Sequence, residues 1–335
     1  MKKYVSLKDI ATSLNLSVST VSRALRDSYS ISPAVKKRVC DEAKRLGYKP
    51  NLIAQGLIAN ATRIIGVIVP DYMTYFYSST IHSIESFARS KGYQIIITSS
   101  CESYDREVEA INNMMCLRVQ GIIMCLSQET DDYTHLKELQ ATGMPVVFFD
   151  RVPEGEEFYT VEMDDRMATK QLTEYLIEKG KRRVALISGP SYLNVCRERE
   201  GGYREVLEKY GLEPSIVYTC FGDYDIKEAA DAVIDADEKY DAVICMNDTT
   251  LYGLLIRMHE RKIEVPKDVL VSGFIDRLHA QIIYPHIPFV NQPTDEIGEV
   301  AVKKLLSIIE DEQRVQRRDV CASCLCVDLD ERIDE

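Results

Sequence analysis

Between Ser6 and Gly47 the apolar residues recur at helical spacing in three short blocks. Leu7, Ile10, Ala11 and Leu14 share one face, and Ser6-Leu7-Lys8-Asp9 ahead of them has the form of a capping box. Asn15-Leu16 breaks the pattern. Ser17 is placed to cap a second helix, Val18–Leu25, buried through Val21 and Leu25. Ser32-Pro33 then supplies an N-cap and a proline at the first helical position. Val35, Val39, Ala43 and Leu46 form the third stripe, which Gly47 stops. Two helices joined by so tight a turn and braced by a third predict a helix-turn-helix.

From Ile64 the pattern changes to short apolar runs separated by periodic segments. The runs predict strands at Ile64–Val69, Gln94–Thr98, Gly121–Cys125, Val146–Phe149, Val184–Ile187, Ala242–Cys245 and Val269–Phe274. Helical periodicity falls at Ser79–Lys91, Asp105–Leu117, Met167–Lys179, Lys227–Ala236 and Thr249–Arg261. Such alternation predicts an α/β body of parallel sheets with helices on both faces, in two lobes that meet near Asp150–Asp164. Between head and body, Leu52, Ile53, Ala54, Leu57 and Ile58 make the connector too apolar for a flexible linker. It is also too short to hold a helix alone, since ~12–15 residues are marginal in water, so it is expected to fold against a partner. The predicted division is a head over 1–47, a hinge over 48–61 and a body over 62–335.

Composition adds exclusions. With 335 residues, 45% hydrophobic and 28% charged, and no low-complexity tract, the chain is neither mainly disordered nor fibrous. Its longest apolar runs, such as Ile64–Pro70 and Tyr93–Thr98, fall far short of the ~18 residues of a membrane span, so no membrane partner is expected. The N-terminus lacks the apolar stretch of a secretory signal, and ten cysteines in such a chain suggest reduced thiols and a cytoplasmic location.

Charge divides the molecule more sharply than its overall −12 suggests. Residues 1–63 hold 12 Lys or Arg against four acids, or +8, and the remaining 272 residues hold 29 bases against 49 acids, or −20. A basic head can bind phosphate backbones while an acidic body stays off them. On the second helix, Ser19 and Arg23 lie opposite Val21, with Ser22 beside them. Such a face can enter a major groove, where Arg23 can bond the N7 and O6 of guanine while Ser17 and Ser19 reach phosphates or base edges. Helical periodicity alone would equally fit a three-helix protein-binding module; the charge favours DNA.

Signals for catalysis or cofactors are weak. No Gly-x-Gly-x-x-Gly follows the first strand, and neither a Walker-type Gly-Lys-Ser/Thr nor a Gly-x-Ser-x-Gly occurs. The five histidines, His82, His135, His259, His279 and His286, show no ligand spacing. Cys321, Cys324 and Cys326 form a Cys-x2-Cys-x-Cys cluster, but a structural zinc site wants four ligands. Val320–Leu329 also reads as a terminal strand with Cys324 and Cys326 on one face. No cofactor is expected. A redox- or metal-responsive regulator using these cysteines, or an enzyme fused to a DNA-binding head, stands as the alternative.

Longer motifs carry a family resemblance. Leu7-Lys8-Asp9-Ile10-Ala11, Ser17-Val18-Ser19-Thr20-Val21-Ser22-Arg23-Ala24-Leu25 and Gly47-Tyr48-Lys49-Pro50-Asn51 resemble the DNA-binding head of the lactose-repressor (LacI/GalR) family. Ile65-Gly66-Val67-Ile68-Val69-Pro70, Phe149-Asp150-Arg151, Ser188-Gly189-Pro190, Met246-Asn247-Asp248, Gly273-Phe274 and Asn291-Gln292-Pro293 look like its body motifs, up to about Asp328. The resemblance implies a homodimeric repressor on a near-palindromic operator, with a two-lobed periplasmic-binding-protein-like body and a sugar or related metabolite in the interlobe cleft. It puts Val18, Ser19 and Arg23 at base-reading positions and Leu57 at a minor-groove wedge, with Asn51 and Ala54 in the helix around it. Gly56 before the wedge weakens that helix by up to ~1 kcal/mol relative to Ala.

For the cleft the resemblance implies Phe76, Tyr77 and Tyr224 as aromatic walls, with Asp150, Arg197, Asn247 and Gln292 as polar contacts. Cys196-Arg197-Glu198-Arg199 ahead of Gly202-Tyr203 points to Arg197. Two departures stand out. Gly273-Phe274-Ile275-Asp276 replaces the family's Gly-Phe-Asp-Asp, leaving Asp276 one position late, and Thr74-Tyr75 replaces Asn-Pro. The effector pocket is therefore expected to differ from that of ordinary neutral-sugar sensors.

Overall fold

The computed structural model describes residues 5–49, 62–220, 222–283, 287–311 and 315–327, without the side chains of 223, 224 and 283. It divides into two compact units between Thr62 and Arg63.

The first unit holds α1 (Leu7–Leu14), α2 (Val18–Leu25) and α3 (Pro33–Leu46). The capping box forms: the Ser6 N–H donates to the Asp9 carboxylate at 2.8 Å, and the Asp9 N–H donates to Ser6 Oγ at 3.3 Å. Asn15 ends α1 with φ at 54°, a left-handed turn that asparagine tolerates better than most residues and that swings α2 back against α1. Ser32 occupies the N-cap of α3 but makes no side-chain capping bond, so the start of that helix rests on Pro33. Ile10, Ala11, Val21, Ala24, Val39 and Ala43 form a closed core, ringed by Leu7, Leu14, Leu25, Val35 and Leu46.

The second unit begins with β1 (Ile64–Val69), α4 (Tyr75–Ser90), β2 (Gln94–Ser99), α5 (Tyr104–Cys116), β3 (Gly121–Met124), α6 (Thr134–Ala141), β4 (Val146–Phe149) and β5 (Thr160–Met163). The chain continues through α7 (Asp165–Glu178), β6 (Val184–Ser188), α8 (Asn194–Tyr210), β7 (Ser215–Tyr218), α9 (Asp223–Ile234) and β8 (Ala242–Cys245). Then follow α10 (Asp248–Glu260), β9 (Leu270–Phe274), α11 (Arg277–Ile283), β10 (Phe289–Asn291), α12 (Thr294–Ile309), β11 (Arg318–Cys321) and β12 (Cys324–Cys326).

Two six-stranded sheets result, in the orders β11-β5-β4-β3-β1-β2 and β12-β10-β9-β8-β6-β7. All pairings are parallel except the terminal β12 against β10. Among the interior strands β1, β3, β4 and β8 carry no polar side chain because both faces are covered. Ile65, Val67 and Val69 of β1 pack with Ile84 of α4 and Leu305 of α12, while Ile64 and Ile68 pack on the other side with Met114 of α5.

The chain crosses between lobes three times: after Met163, after Asn291 and after Cys321. Helix α12 thus returns to the first sheet, and β11 follows it. This corrects the expectation of one terminal strand over Val320–Leu329. The segment breaks between Cys321 and Cys324, one side in each sheet, because β11 closes the edge of the first lobe and β12 that of the second. Strands β5, β7, β10 and β11 and helices α6, α8, α11 and α12 add to the predicted set.

Candidate functional site

In the head, α2 buries Val21 and Ala24 and turns Val18, Ser19 and Arg23 outward, with Ser22 half-buried at the margin. Val18 is 45% exposed, an apolar side chain on a polar face. Ser17 caps the helix, its Oγ accepting from the Thr20 N–H at 3.1 Å, and lies 2.8 Å from Ser19 Oγ. The two serines are therefore held together at the helix N-terminus, where the helix dipole favours an anion. Asn51, Ala54 and Leu57 lie outside the described residues.

In the body, a cavity of about 660 Å³ opens between the lobes. The first lobe contributes Thr74, Phe76, Tyr77, Glu102, Asp150 and Arg151, the second contributes Arg199, Asn247, Asp248, Tyr252 and His279, and Gln292 enters from a crossover. Phe76 and Tyr77 occupy the first turn of α4 with ring centroids 5.2 Å apart, edge to face. Tyr77 is buried, its Oη accepting from Cys125 Sγ at 3.6 Å, and burial raises its hydroxyl pKa.

Asp150 follows β4 with φ at +60°, a left-handed backbone that costs a non-glycine residue of order 1 kcal/mol. Asn194, at the start of α8, fixes this turn from the opposite lobe: its Nδ2 donates to the Asp150 carbonyl at 2.9 Å and its Oδ1 accepts from the Val152 N–H at 3.0 Å. Burial pushes the Asp150 carboxyl up, against the pull of Arg199 and Arg151. Arg151 spends its guanidinium on Glu102, at 2.8 and 3.0 Å. Asn247 caps α10, its Oδ1 accepting from the Thr250 N–H at 2.9 Å.

The structure puts Arg197 and Asp276 elsewhere. Positions two apart on a helix lie ~200° round its axis. Arg197 therefore faces outward, paired with Glu154 at 2.8 Å, in a separate cavity of about 650 Å³ with Arg317 and Arg318. Arg199 takes the cleft position. It is buried, its guanidinium carbon 3.7 Å over the Phe274 ring, with Nε donating to Asp165 at 2.7 Å and Nη1 to the Met246 carbonyl. The signal for Arg199 was in the sequence: Val195, Arg199, Gly202 and Val206 follow the 3.6 period of the buried face of α8.

Asp276 borders a neighbouring cavity of about 580 Å³, accepts the His279 N–H at 3.1 Å and faces that ring's Nδ1, while Ile275 sinks into the second lobe's core. Tyr224 stands in α9, its side chain outside the described residues. Arg151 and Asp248, which end the motifs Phe149-Asp150-Arg151 and Met246-Asn247-Asp248, also line the wall, and Glu102, Tyr252 and His279 complete it with no motif to announce them.

The model for the lacI family of bacterial regulatory proteins matches residues 6–51. That for periplasmic binding proteins and the sugar binding domain of the LacI family matches 62–324. The chain belongs to the LacI family.

It is a DNA-binding transcription regulator of that family. Catabolite control protein A of Priestia megaterium is 30% identical over 312 residues, covering 92% of this chain and 93% of the relative. The HTH-type transcriptional repressor PurR of Vibrio atlanticus is 29% identical over 315 residues, covering 93% and 94%. The lac repressor dimer bound to operator and an anti-inducer shares the fold, with a TM-score of 0.84 at 22% identity over 96% of this chain and 98% of that one. The CelR–cellobiose complex matches with a TM-score of 0.72 at 27% identity over the same 96% and 98%.

Among the described residues, no group of three or more His, Cys, Asp or Glu side chains is placed to hold a metal ion, and no helix is long and apolar enough to cross a membrane. Cys321 is buried in the first lobe while Cys324 and Cys326 sit on the second.

Proposed function

We propose that this LacI-family regulator is a homodimeric repressor, acting in the cytoplasm, whose affinity for a near-palindromic operator is set by a small polyhydroxylated effector in the interlobe cavity. The observation that carries the reading is the cavity itself, walled by aromatic and hydrogen-bonding side chains from both lobes. A ligand touching both walls binds the two lobe arrangements unequally, which is the condition for shifting an equilibrium between them.

On the DNA side, Arg23 reads guanine, Val18 meets a thymine methyl, and Ser17, Ser19 and Ser22 contact phosphates or base edges. Leu57, flanked by Asn51 and Ala54, wedges the minor groove. On the effector side, Phe76 and Tyr77 offer ring faces and edges, and Asp150, Asn247, Gln292 and Arg199 bind hydroxyls. Arg199 replaces Arg197 in this role. Tyr224 enters on its position in the sequence alone, and Asp276 acts by orienting His279. The similar PurR of Vibrio atlanticus is named as a transcriptional repressor, and no catalytic role is proposed.

The test is selection of genomic fragments by the purified protein, followed by titration of the recovered site with sugars and related metabolites. A short palindrome is expected, bound more weakly as salt rises because phosphate contacts release counterions, and shifted by one polyhydroxylated compound. No enriched site would overturn the DNA reading. A palindrome insensitive to every compound would overturn the effector reading.

A further inference from the structure

The cavity's charges do not balance. Its two guanidiniums are already engaged, Arg151 with Glu102 at 2.8 Å and Arg199 with Asp165 at 2.7 Å. Carboxylates outnumber them: Asp71, Glu102, Asp150 and Asp248 line the cavity, with Asp165 and Asp276 behind. Among the described residues neither Asp150 nor Asp248 has an ion pair; Asp248 accepts only from its neighbour Thr249, at 2.8 Å from N–H and 3.3 Å from Oγ1. The His279 ring faces Asp276. Asn247 and Gln292, both half-buried, add amide groups to the same wall.

We propose that the effector is a cation, an amine-bearing sugar or polyol, with its ammonium at Asp248 and Asp150 and its hydroxyls toward the Asn247 and Gln292 amides. This rests on the reading of the cavity as the effector site. An ammonium brings three donors and one positive charge to carboxylates that burial holds above their usual range. A phosphate would have to pull a guanidinium from its carboxylate, leaving that carboxylate buried and uncompensated. Ile275, apolar where the family resemblance implies a carboxylate, leaves recognition on the second lobe to Asp248 and Asn247.

The test uses the full-length protein and three matched sets: hexoses, their 2-amino derivatives and their 6-phosphates, in the gluco, galacto and manno series. Affinity is read by calorimetry and operator binding in parallel. In at least one series the amine is expected to bind roughly ten- to a hundredfold tighter than its neutral parent, the worth of a hydrogen bond to a charged group. Asp248→Asn and Asp150→Asn, each checked for folding by circular dichroism, should reduce that advantage. Preference for a neutral or phosphorylated member, no binding by any member, or an advantage kept in both variants would overturn the proposal. An amine that binds without changing operator affinity would overturn the regulatory reading instead, and a phosphorylated sugar that shifts operator affinity would do the reverse.

Discussion

Arg23 projects from the exposed face of α2, one turn beyond Ser19 and opposite buried Val21, so its guanidinium meets whatever surface that face meets. Arg23→Ala should cost ~1–3 kcal/mol of operator affinity and relax selection at one base step, measured against a library randomised across the half-site. Unchanged selectivity would remove its base-reading role. At Asp165 the chemistry is set by burial, which pushes its carboxyl up to about 6 although Arg199 pairs with it. In the unfolded chain the group returns to its ordinary 3.8, so the native state takes up the proton first as pH falls. Its contribution to stability therefore rises between about pH 6 and 4, and Asp165→Asn should abolish that slope. Urea denaturation at stepped pH should show the wild type gaining on the variant as pH falls through this window. A gap that narrows instead would mean that the Arg199 pair, not desolvation, governs the site.

At the scale of elements, the site depends on how closely α7 and α8 approach, since one carries Asp165 and the other Arg199. A Cβ built on Gly202 would lie 2.3 Å from the Arg166 carbonyl oxygen, a contact backbone cannot yield cheaply. Gly202→Ala should thus destabilise the body by ~1–3 kcal/mol, read as a lower urea midpoint, and loosen effector binding along with it. A neutral substitution would mean that the helices can part without cost. The same elements show what the sequence makes legible. β1, β4 and β8 read as unbroken apolar runs because both faces are buried. β7 is a half-exposed edge strand whose apolar run is only Ile216–Tyr218, and β11 opens on charged Arg318 and Asp319, so neither presents a long apolar run to find. β11 is seated instead by polar contacts: buried Lys304 of α12 pairs with Asp319 at 2.7 Å and donates to the Thr160 carbonyl at 2.7 Å. Such long-range pairing leaves no local trace. The cleft was legible where a residue follows a strand end, as at Phe76 or Asp150, and misread where helix rotation decides, as between Arg197 and Arg199.

At the scale of the whole molecule, regulation needs an element that distinguishes two lobe arrangements, and Asn194 is placed to be one. Three crossovers tie the lobes covalently, but the connections at 164, 292–293 and 322–323 are short and leave the angle between lobes to side-chain contacts. Asn194 belongs to the second lobe and holds both the Asp150 carbonyl and the Val152 N–H of the first. Tyr192, two residues earlier, donates its Oη to the Gln128 carbonyl across the same gap. Both contacts exist in the arrangement described and would break in one with the lobes rotated apart. Asn194→Ala should therefore move the factor by which effector changes operator affinity by ~0.5–2 kcal/mol, a shift of roughly two- to thirtyfold. The measurement is operator affinity with and without effector, for wild type and variant, on the selected palindrome. Tyr192→Phe, which loses one hydrogen bond and keeps the ring, should act in the same direction and more weakly. If both variants leave effector-free affinity and the coupling factor unchanged, these bonds persist in both arrangements and the lobe angle is set elsewhere. If the two act in opposite directions, they stabilise different arrangements, and the interlobe motion is a sliding of the lobes in which one contact closes as the other opens.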